Sequence, residues 1–186
     1  MVLEFRPVTR GCWQDLESLF GECGAYSGCW CMYWRLTRRE FTRLQGEGNR
    51  RAMKALIEGG TVPGIIAYSN GEPVGWCSIG PRPDFPSLNR SRTLRPVDDQ
   101  PVWAIVCFFL AASLRGRGAL RELLAGAVAY AREQGAAIVE GYPVELTRAP
   151  SGYKGYTGVV STFRRAGFEE VARRSPAQPV MRYRVS

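Results

Sequence analysis

The sequence predicts a mixed α/β fold: one sheet with helices on both of its faces. Three observations carry this expectation. Apolar residues alternate with period two at both ends of the chain and in its middle, and recur at helical spacing between those stretches. The pair Asn70-Gly71 lies between two apolar runs, as in a β-hairpin. The apolar run VWAIVCFFLAA passes directly into a glycine turn, SLRGRG, and then into an amphipathic segment.

The elements follow in order. VLEFRPV alternates as a first strand and stops at Pro7 and Thr9; Thr9 can cap a helix carrying Trp13, Leu16, Leu19 and Phe20 on one side. GECGAYSGCWCMYW is an aromatic loop broken by glycine and cysteine. Thr37 then precedes the short helical stretch RREFTRL, and NRRAMKALIEGG is a helix ending at Gly59-Gly60. GIIAYSNGEPVGWCSIG forms the hairpin, and residues 81–100, rich in proline and arginine, form a long loop. Pro101 to Ala111 is a buried strand. Residues 118–134 form a helix with Leu120, Leu123, Leu124, Ala127, Val128 and Ala131 on one face, closed by Gly135. AAIVEGYPV is a strand broken by Pro143; a helix over about residues 157–166 ends at Gly167; FEEVARR and PVMRYRV are two final strands. Such an order suits a mixed sheet of about seven strands in one domain over residues 1–186.

The chain has 186 residues and 45% hydrophobic content, enough for a sizeable core. Its start shows no basic-then-apolar signal pattern, and its longest apolar stretch, Pro101 to Leu114, is shorter than the roughly 17–25 residues of a membrane helix. These features point to a soluble cytoplasmic protein with no membrane partner. The net charge is +8 and histidine is absent, which removes the commonest general base and the commonest metal ligand. The charge is dispersed over several segments and accompanies no RNA signature, so nucleic acid is not the expected partner. Six cysteines include Cys29 and Cys31 as C-x-C rather than the C-x2-C of a zinc knuckle; reduced thiols without metal are expected.

The turn at Arg115, Gly116, Arg117 and Gly118 admits two readings. A helix N-terminus exposes unpaired N–H groups and partial positive charge, and glycines there let a phosphate approach the backbone. The same residues also suit a tight turn with two solvated arginines. A Walker loop is excluded because no Lys-Ser/Thr follows, and a dinucleotide fingerprint because Arg121 occupies the third glycine position.

Arg115-Gly116-Arg117-Gly118-Ala119, the following LRELLAGAVAYAREQGA and the later FRRAGFEEV together resemble the Gcn5-related N-acetyltransferases. The likeness runs from Val2 to Val185; Leu120 departs from the Gly or Ala usual at the sixth position of the turn. The resemblance implies a mostly antiparallel sheet and acetyl-coenzyme A as cosubstrate. Its pyrophosphate would lie on Arg115, Gly116, Arg117, Gly118, Ala119 and Leu120. Its pantetheine arm would run beside Phe108, Phe109 and Leu110, with the Leu110 N–H polarising the thioester carbonyl. Phe163 stands where many relatives carry a tyrosine acid, and phenylalanine cannot donate a proton; a coenzyme contact is the role left to it. Tyr156 is the candidate substitute acid, with Tyr153, Ser161, Thr162 and water as the alternatives; a packing or coenzyme contact is the other reading of Tyr156.

Glu140, in the apolar run AIVEGYP, is the preferred base if burial raises its pKa; a structural ion pair or a substrate anchor is the alternative. Trp30, Tyr33 and Trp34 either line an acceptor pocket or pack helix against sheet. The expected reaction moves an acetyl group to a primary amine, of a small molecule before a peptide. Non-catalytic acyl-coenzyme A binding and transfer to RNA-linked amines are the competing classes. A homodimer is common among such relatives.

Overall fold

The computed structural model describes residues 3–145 and 156–185. Strand β1 (Glu4–Pro7) leads through a 3-10 turn into α1 (Trp13–Phe20), α2 (Arg38–Arg43) and α3 (Glu47–Glu58). The hairpin β2 (Gly64–Ser69) and β3 (Glu72–Pro81) follows, then α4 (Pro86–Arg90), β4 (Trp103–Leu110), α5 (Ala119–Glu133) and β5 (Ile138–Gly141). Helix α6 (Val160–Arg165) and strands β6 (Glu169–Ala172) and β7 (Val180–Arg184) complete it.

The strands form one seven-stranded sheet in the order β1-β2-β3-β4-β5-β7-β6. Every pairing is antiparallel except β4 with β5. That parallel ladder is short: Trp103, Ala104 and Ile105 face Val139, Glu140 and Gly141. Beyond it the two strands part. Asn70 and Gly71 both hold positive φ, 51° and 82°, as a two-residue hairpin turn matched to strand twist requires.

Alternation along the strands sorts the core. Ile65, Ala67, Cys77, Ile79 and Ile105 point to one face, covered by α5 and α6 through Leu123, Leu124, Ala127 and Phe163. Ile66, Tyr68 and Trp76 point to the other, under α1 and α3, while Ala104, Val106 and Tyr142 lie under α4. In β4 the alternation slips once. Ser78 faces Cys107 and Ile79 faces Ile105, which leaves Val106 as an extra residue in a bulge. Val106 and Cys107 therefore both serve the second face.

Two local expectations are corrected. Thr9 makes no side-chain cap; the helix begins at Trp13, after the 3-10 turn Arg10–Cys12. Residues 81–100 are not a plain loop, because Pro86 starts α4 with its φ already helical and Leu88 anchors that helix in the core. The rest of the stretch is tied down by arginines. Arg82 Nη2 donates to the Leu94 carbonyl at 2.6 Å, and Arg174 donates to the carbonyls of Thr93, Arg95 and Pro96.

Candidate functional site

Where β4 ends, the Ala111 N–H donates to the Val74 carbonyl at 2.9 Å. This makes Gly75 and Leu110 a non-hydrogen-bonded pair of the β3–β4 ladder, so the N–H and C=O of Leu110 face away from β3. They look toward the side from which β5 has diverged. Phe108 faces the same way, but its N–H is already used: it donates to the Tyr156 carbonyl at 2.6 Å. Val144 pairs with Val159, and its N–H donates to the Gly158 carbonyl at 2.9 Å. Residues 156–159 thus occupy part of the seam between the parted strands, and the backbone N–H of Phe108 is not open to a cosubstrate.

A cleft of about 440 Å³ opens at the end of this seam, lined by Leu110, Leu114, Gly116, Gly118, Ala119, Leu120, Arg121, Thr162 and Arg165. Its wall is the start of α5. Gly116 and Gly118 hold φ of 76° and 80°, left-handed values that any side chain would strain. A Cβ at either position would meet no atom within 4 Å. Conformation, not crowding, is what demands glycine here, and the turn presents bare backbone to open space. Gly118 occupies the cap position without a capping side chain, so the first N–H groups of α5 open toward the cleft. Positive charge converges there from Arg121 and Arg165, which also line a neighbouring groove of about 580 Å³ between α5 and α6. The site therefore offers a cationic, backbone-lined cradle suited to a phosphorylated ligand.

The expected turn residues are only partly gathered. Gly116, Gly118, Ala119, Leu120 and Leu110 line the cleft; Arg115 and Arg117 do not. Arg115 folds back, its Nε donating to the Leu110 carbonyl at 3.2 Å. Sequence reasoning assigned no role to Leu114 or Arg165 and treated Arg121 only as a departure from a nucleotide motif. Arg165 reaches the cleft because α6 packs on α5, a contact for which the sequence carries no local signal.

Phe163 is corrected as a coenzyme contact. Its side chain is fully buried, edge-on to Phe108 at 6.2 Å and to Phe168 at 4.9 Å, and pressed against Gly141 and Gly158. Thr162 and Arg165, on either side of it in α6, line the cleft instead. Phe109 is also turned away, edge-on to Phe20 at 5.7 Å on the opposite face of the sheet.

Glu140 is corrected as a base. It is 1% exposed, and both of its oxygens are occupied. Oε1 accepts from Arg82 Nη1 and from the Tyr142 hydroxyl, each at 2.7 Å; Oε2 accepts from Arg182 Nε at 2.7 Å. Arg182 in turn grips Asp98 with two bonds, at 2.7 and 3.0 Å. A carboxylate held by two guanidiniums and a phenol is an ion-paired strut, with no lone pair directed at an acceptor amine.

The three aromatic pocket residues divide. Trp30 is core, stacked on Trp13 at 5.8 Å and edge-on to Phe20 at 5.5 Å. Tyr33 and Trp34 are half-buried between α2 and α4; Tyr33 lies edge-on to Trp34 at 5.0 Å and to Phe41 at 5.3 Å. None of the three lines the cleft beside α5. Tyr156 is half-buried at the seam, while Tyr153 falls outside the described residues. Among the described residues no group of three or more acidic or thiol side chains is placed to hold a metal ion, and no helix is long and apolar enough to cross a membrane.

Comparison with known proteins supplies the family. A family model described as the Acetyltransferase (GNAT) family matches residues 29–147. No curated protein matches the sequence. Among solved structures, an acetyltransferase of the GNAT family from Listeria monocytogenes superposes with a TM-score of 0.61 at 10% identity, covering 98% of this chain and 95% of that one. The PaiA N-acetyltransferase of Thermoplasma acidophilum, solved with coenzyme A, gives 0.56 at 12% identity with both chains fully covered. A ribosomal-protein-alanine N-acetyltransferase from Brucella melitensis gives 0.55 at 18% identity, covering 98% of this chain and 99% of that one. At such identities these structures establish the fold.

Proposed function

The chain belongs to the acetyltransferase (GNAT) family, and from that premise we propose that it transfers acetyl from acetyl-coenzyme A to the primary amine of a small molecule. The observation that carries this reading is the open glycine turn at the head of α5, continuous with Leu110 in one cleft. The pyrophosphate is assigned to the backbone of Gly116, Gly118, Ala119 and Leu120, with Arg121 and Arg165 neutralising charge. The groove between α5 and α6 extends that cradle for the nucleotide end of the cosubstrate.

At the other end of the cleft the outward-facing N–H of Leu110 is assigned to the thioester oxygen. A fixed donor there stabilises the negative charge that develops as the amine attacks. The amine nitrogen then bonds to the acetyl carbon and gives up its extra proton to water, the carbon–sulfur bond breaks, and the thiolate takes up a proton. Tyr156, held at the seam through its carbonyl, is the residue assigned to deliver that proton. The chain has no histidine and Glu140 is committed to Arg82 and Arg182, so the acceptor is proposed to enter as its free base. A small acceptor is favoured over a polypeptide because α4 and residues 91–97 cover the second face of β4 and are pinned by Arg82 and Arg174.

Calorimetric titration with acetyl-coenzyme A, followed by an amine panel that includes peptides with free N-termini, tests the proposal. Gly118→Asp is expected to weaken binding at least about tenfold while the protein stays folded, because a carboxylate then occupies the anion cradle. Unchanged affinity in that variant would remove the turn as the cosubstrate site. Binding without turnover of any amine would favour an acyl-coenzyme A-binding module, the reading that Phe163, with no hydroxyl, supports.

A further inference from the structure

The loop between α1 and α2 is strained, with Ala25, Ser27, Trp30 and Cys31 at positive φ of 69°, 48°, 44° and 55°. It ends in a tight turn in which the N–H groups of Arg35 and Leu36 both donate to the Met32 carbonyl. Ser87 of α4 fixes that turn from the other side. Its N–H donates to the Trp34 carbonyl at 3.2 Å and its hydroxyl to the Leu36 carbonyl at 2.5 Å. Held in this way, the Arg35 side chain is 5% exposed and stacks over Phe85 at 4.4 Å. Its Nη2 donates to the Pro63 carbonyl at 3.2 Å, but Asp84 stands 3.8 Å from Nη1, beyond hydrogen-bond reach. Arg35 Nε and the neighbouring Trp34 Nε1 are both buried donors without a partner among the described residues. Each costs free energy until an oxygen meets it.

Both residues border the mouth of the seam. Trp34 packs against the cluster that holds Phe85, Val106 and Tyr142, and Cys107 packs against it as well. Val106 and Cys107 follow the last parallel pair on β4, Ile105 with Gly141, and Tyr142 follows it on β5. The cluster therefore brackets the point where the strands part, on the face opposite α5 and α6. Cys107 and Phe109 keep part of their surface exposed although β4 is the central strand of seven, so this face is not sealed over them. The cleft assigned to the cosubstrate lies on the other face, against α5 and α6. An amine that attacks a thioester held at Leu110 has the second face left to it.

Resting on the acetyl-transfer reading above, we propose that Arg35 and Trp34 form the acceptor subsite and that the acceptor is a primary amine carrying a carboxylate. The carboxylate accepts from the Arg35 Nε–H and from the Trp34 indole N–H, and the amine extends from there into the seam toward Leu110. Charge favours the same ligand. Burial outweighs the attraction of Asp84 and pushes Arg35 down to about 10, so at neutral pH it remains a cation short of an anion. A guanidinium matches a planar carboxylate in geometry as well as in charge.

Calorimetric titration of the full-length protein in the presence of coenzyme A reads the subsite without turnover. The probes are glycine, phenylalanine and 4-aminobutyrate, each against its carboxamide. At least one acid should bind at least about tenfold more tightly than its amide, because the amide forfeits the charged contact. In Arg35→Gln the two should fall within about twofold of each other, with the affinity for acetyl-coenzyme A unchanged. Trp34→Phe keeps an aromatic ring and removes the N–H. It should narrow the preference by at least about threefold, and it decides the matter even if Arg35→Gln does not fold. A preference untouched by these changes would overturn the proposal, as would amides that bind as tightly as acids or a panel in which nothing binds. Turnover of the same panel separates this subsite from the reading it rests on. Acetyl transfer with no acid preference would sink the subsite and leave the transferase. Acid-selective binding without transfer to any amine would sink the transferase and leave Arg35 and Trp34 as carboxylate ligands.

Discussion

Single residues show how far chemical type constrains role. Glu140 stands out in an apolar run, and that signal is real, because the residue is buried and polar. Its partners lie 58 and 42 positions away, at Arg82 and Arg182, and nothing near it in the chain indicates them. We expect Glu140→Gln to destabilise the protein by about 3–5 kcal/mol in urea unfolding, because the change strands two buried guanidiniums. Acetyl transfer by the fraction that remains folded should be unchanged. Lost turnover with stability intact would instead return Glu140 to a catalytic role. Phe163 is the converse case, since its family position suggests chemistry and its packing denies it. Phe163→Tyr should cost about 1–3 kcal/mol through overpacking against Gly141 and Gly158 and should not raise kcat. With no committed base near the cleft, the rising limb of kcat/KM against pH should track the acceptor's own amine pKa when acceptors are exchanged. A limb fixed across acceptors would mean that an enzyme group takes the proton.

At the scale of elements, local signals did most of the work wherever the physics is local. Thr37 and Glu40 form a reciprocal capping box at the start of α2, with Glu40 N–H donating to Thr37 Oγ1 at 3.2 Å and Thr37 N–H to Glu40 Oε2 at 2.9 Å. Thr37→Ala should lower stability by about 1 kcal/mol, visible as a lower Tm; an unchanged Tm would show that tertiary packing alone holds α2. The hairpin at Asn70-Gly71, the glycines closing α3 and α5, and the left-handed turn before α5 were legible for the same reason: backbone geometry there selects residue type directly. Helix α4 was missed because its proline-rich stretch resembles a loop, and Leu88 and Phe85 stabilise it only by meeting a distant strand face.

Across the whole molecule, the sheet has a weak seam. Strands β1 to β4 join β5 to β7 through three parallel pairs, and a chain of ion pairs spans that seam, from buried Arg82, Glu140 and Arg182 out to exposed Asp98. Hydrogen bonding from Arg182 holds the Asp98 carboxyl well below the usual carboxylate range. A depressed folded value means that its contribution is complete above the unfolded pKa of about 3.9 and is lost as pH falls through the folded one. The urea midpoint should therefore drop on acidification below about pH 4, with a shallower drop in Asp98→Asn. At alkaline pH the sign reverses. Burial raises the thiol of Cys29 to about 11 and that of Cys77 well above the usual value. Stability should decline as pH rises from about 9, where unfolded thiols ionise, toward the folded values, and a flat midpoint there would contradict the burial of these groups.

The sequence by itself determined the order of elements apart from α4, the mixed sheet and the left-handed glycine turn before α5. Hydrophobic period, capping chemistry and positive-φ glycines act within a few residues of one another, and the chain displays them directly. The tertiary structure alone decided that Glu140 is a strut, that Phe163 and Trp30 are core and that Arg165 reaches the cleft. Each of these depends on which surfaces of distant elements touch. Side-chain direction after a bulge, a crossover or a strained loop follows from packing the whole chain, and residue type by itself carries no record of it.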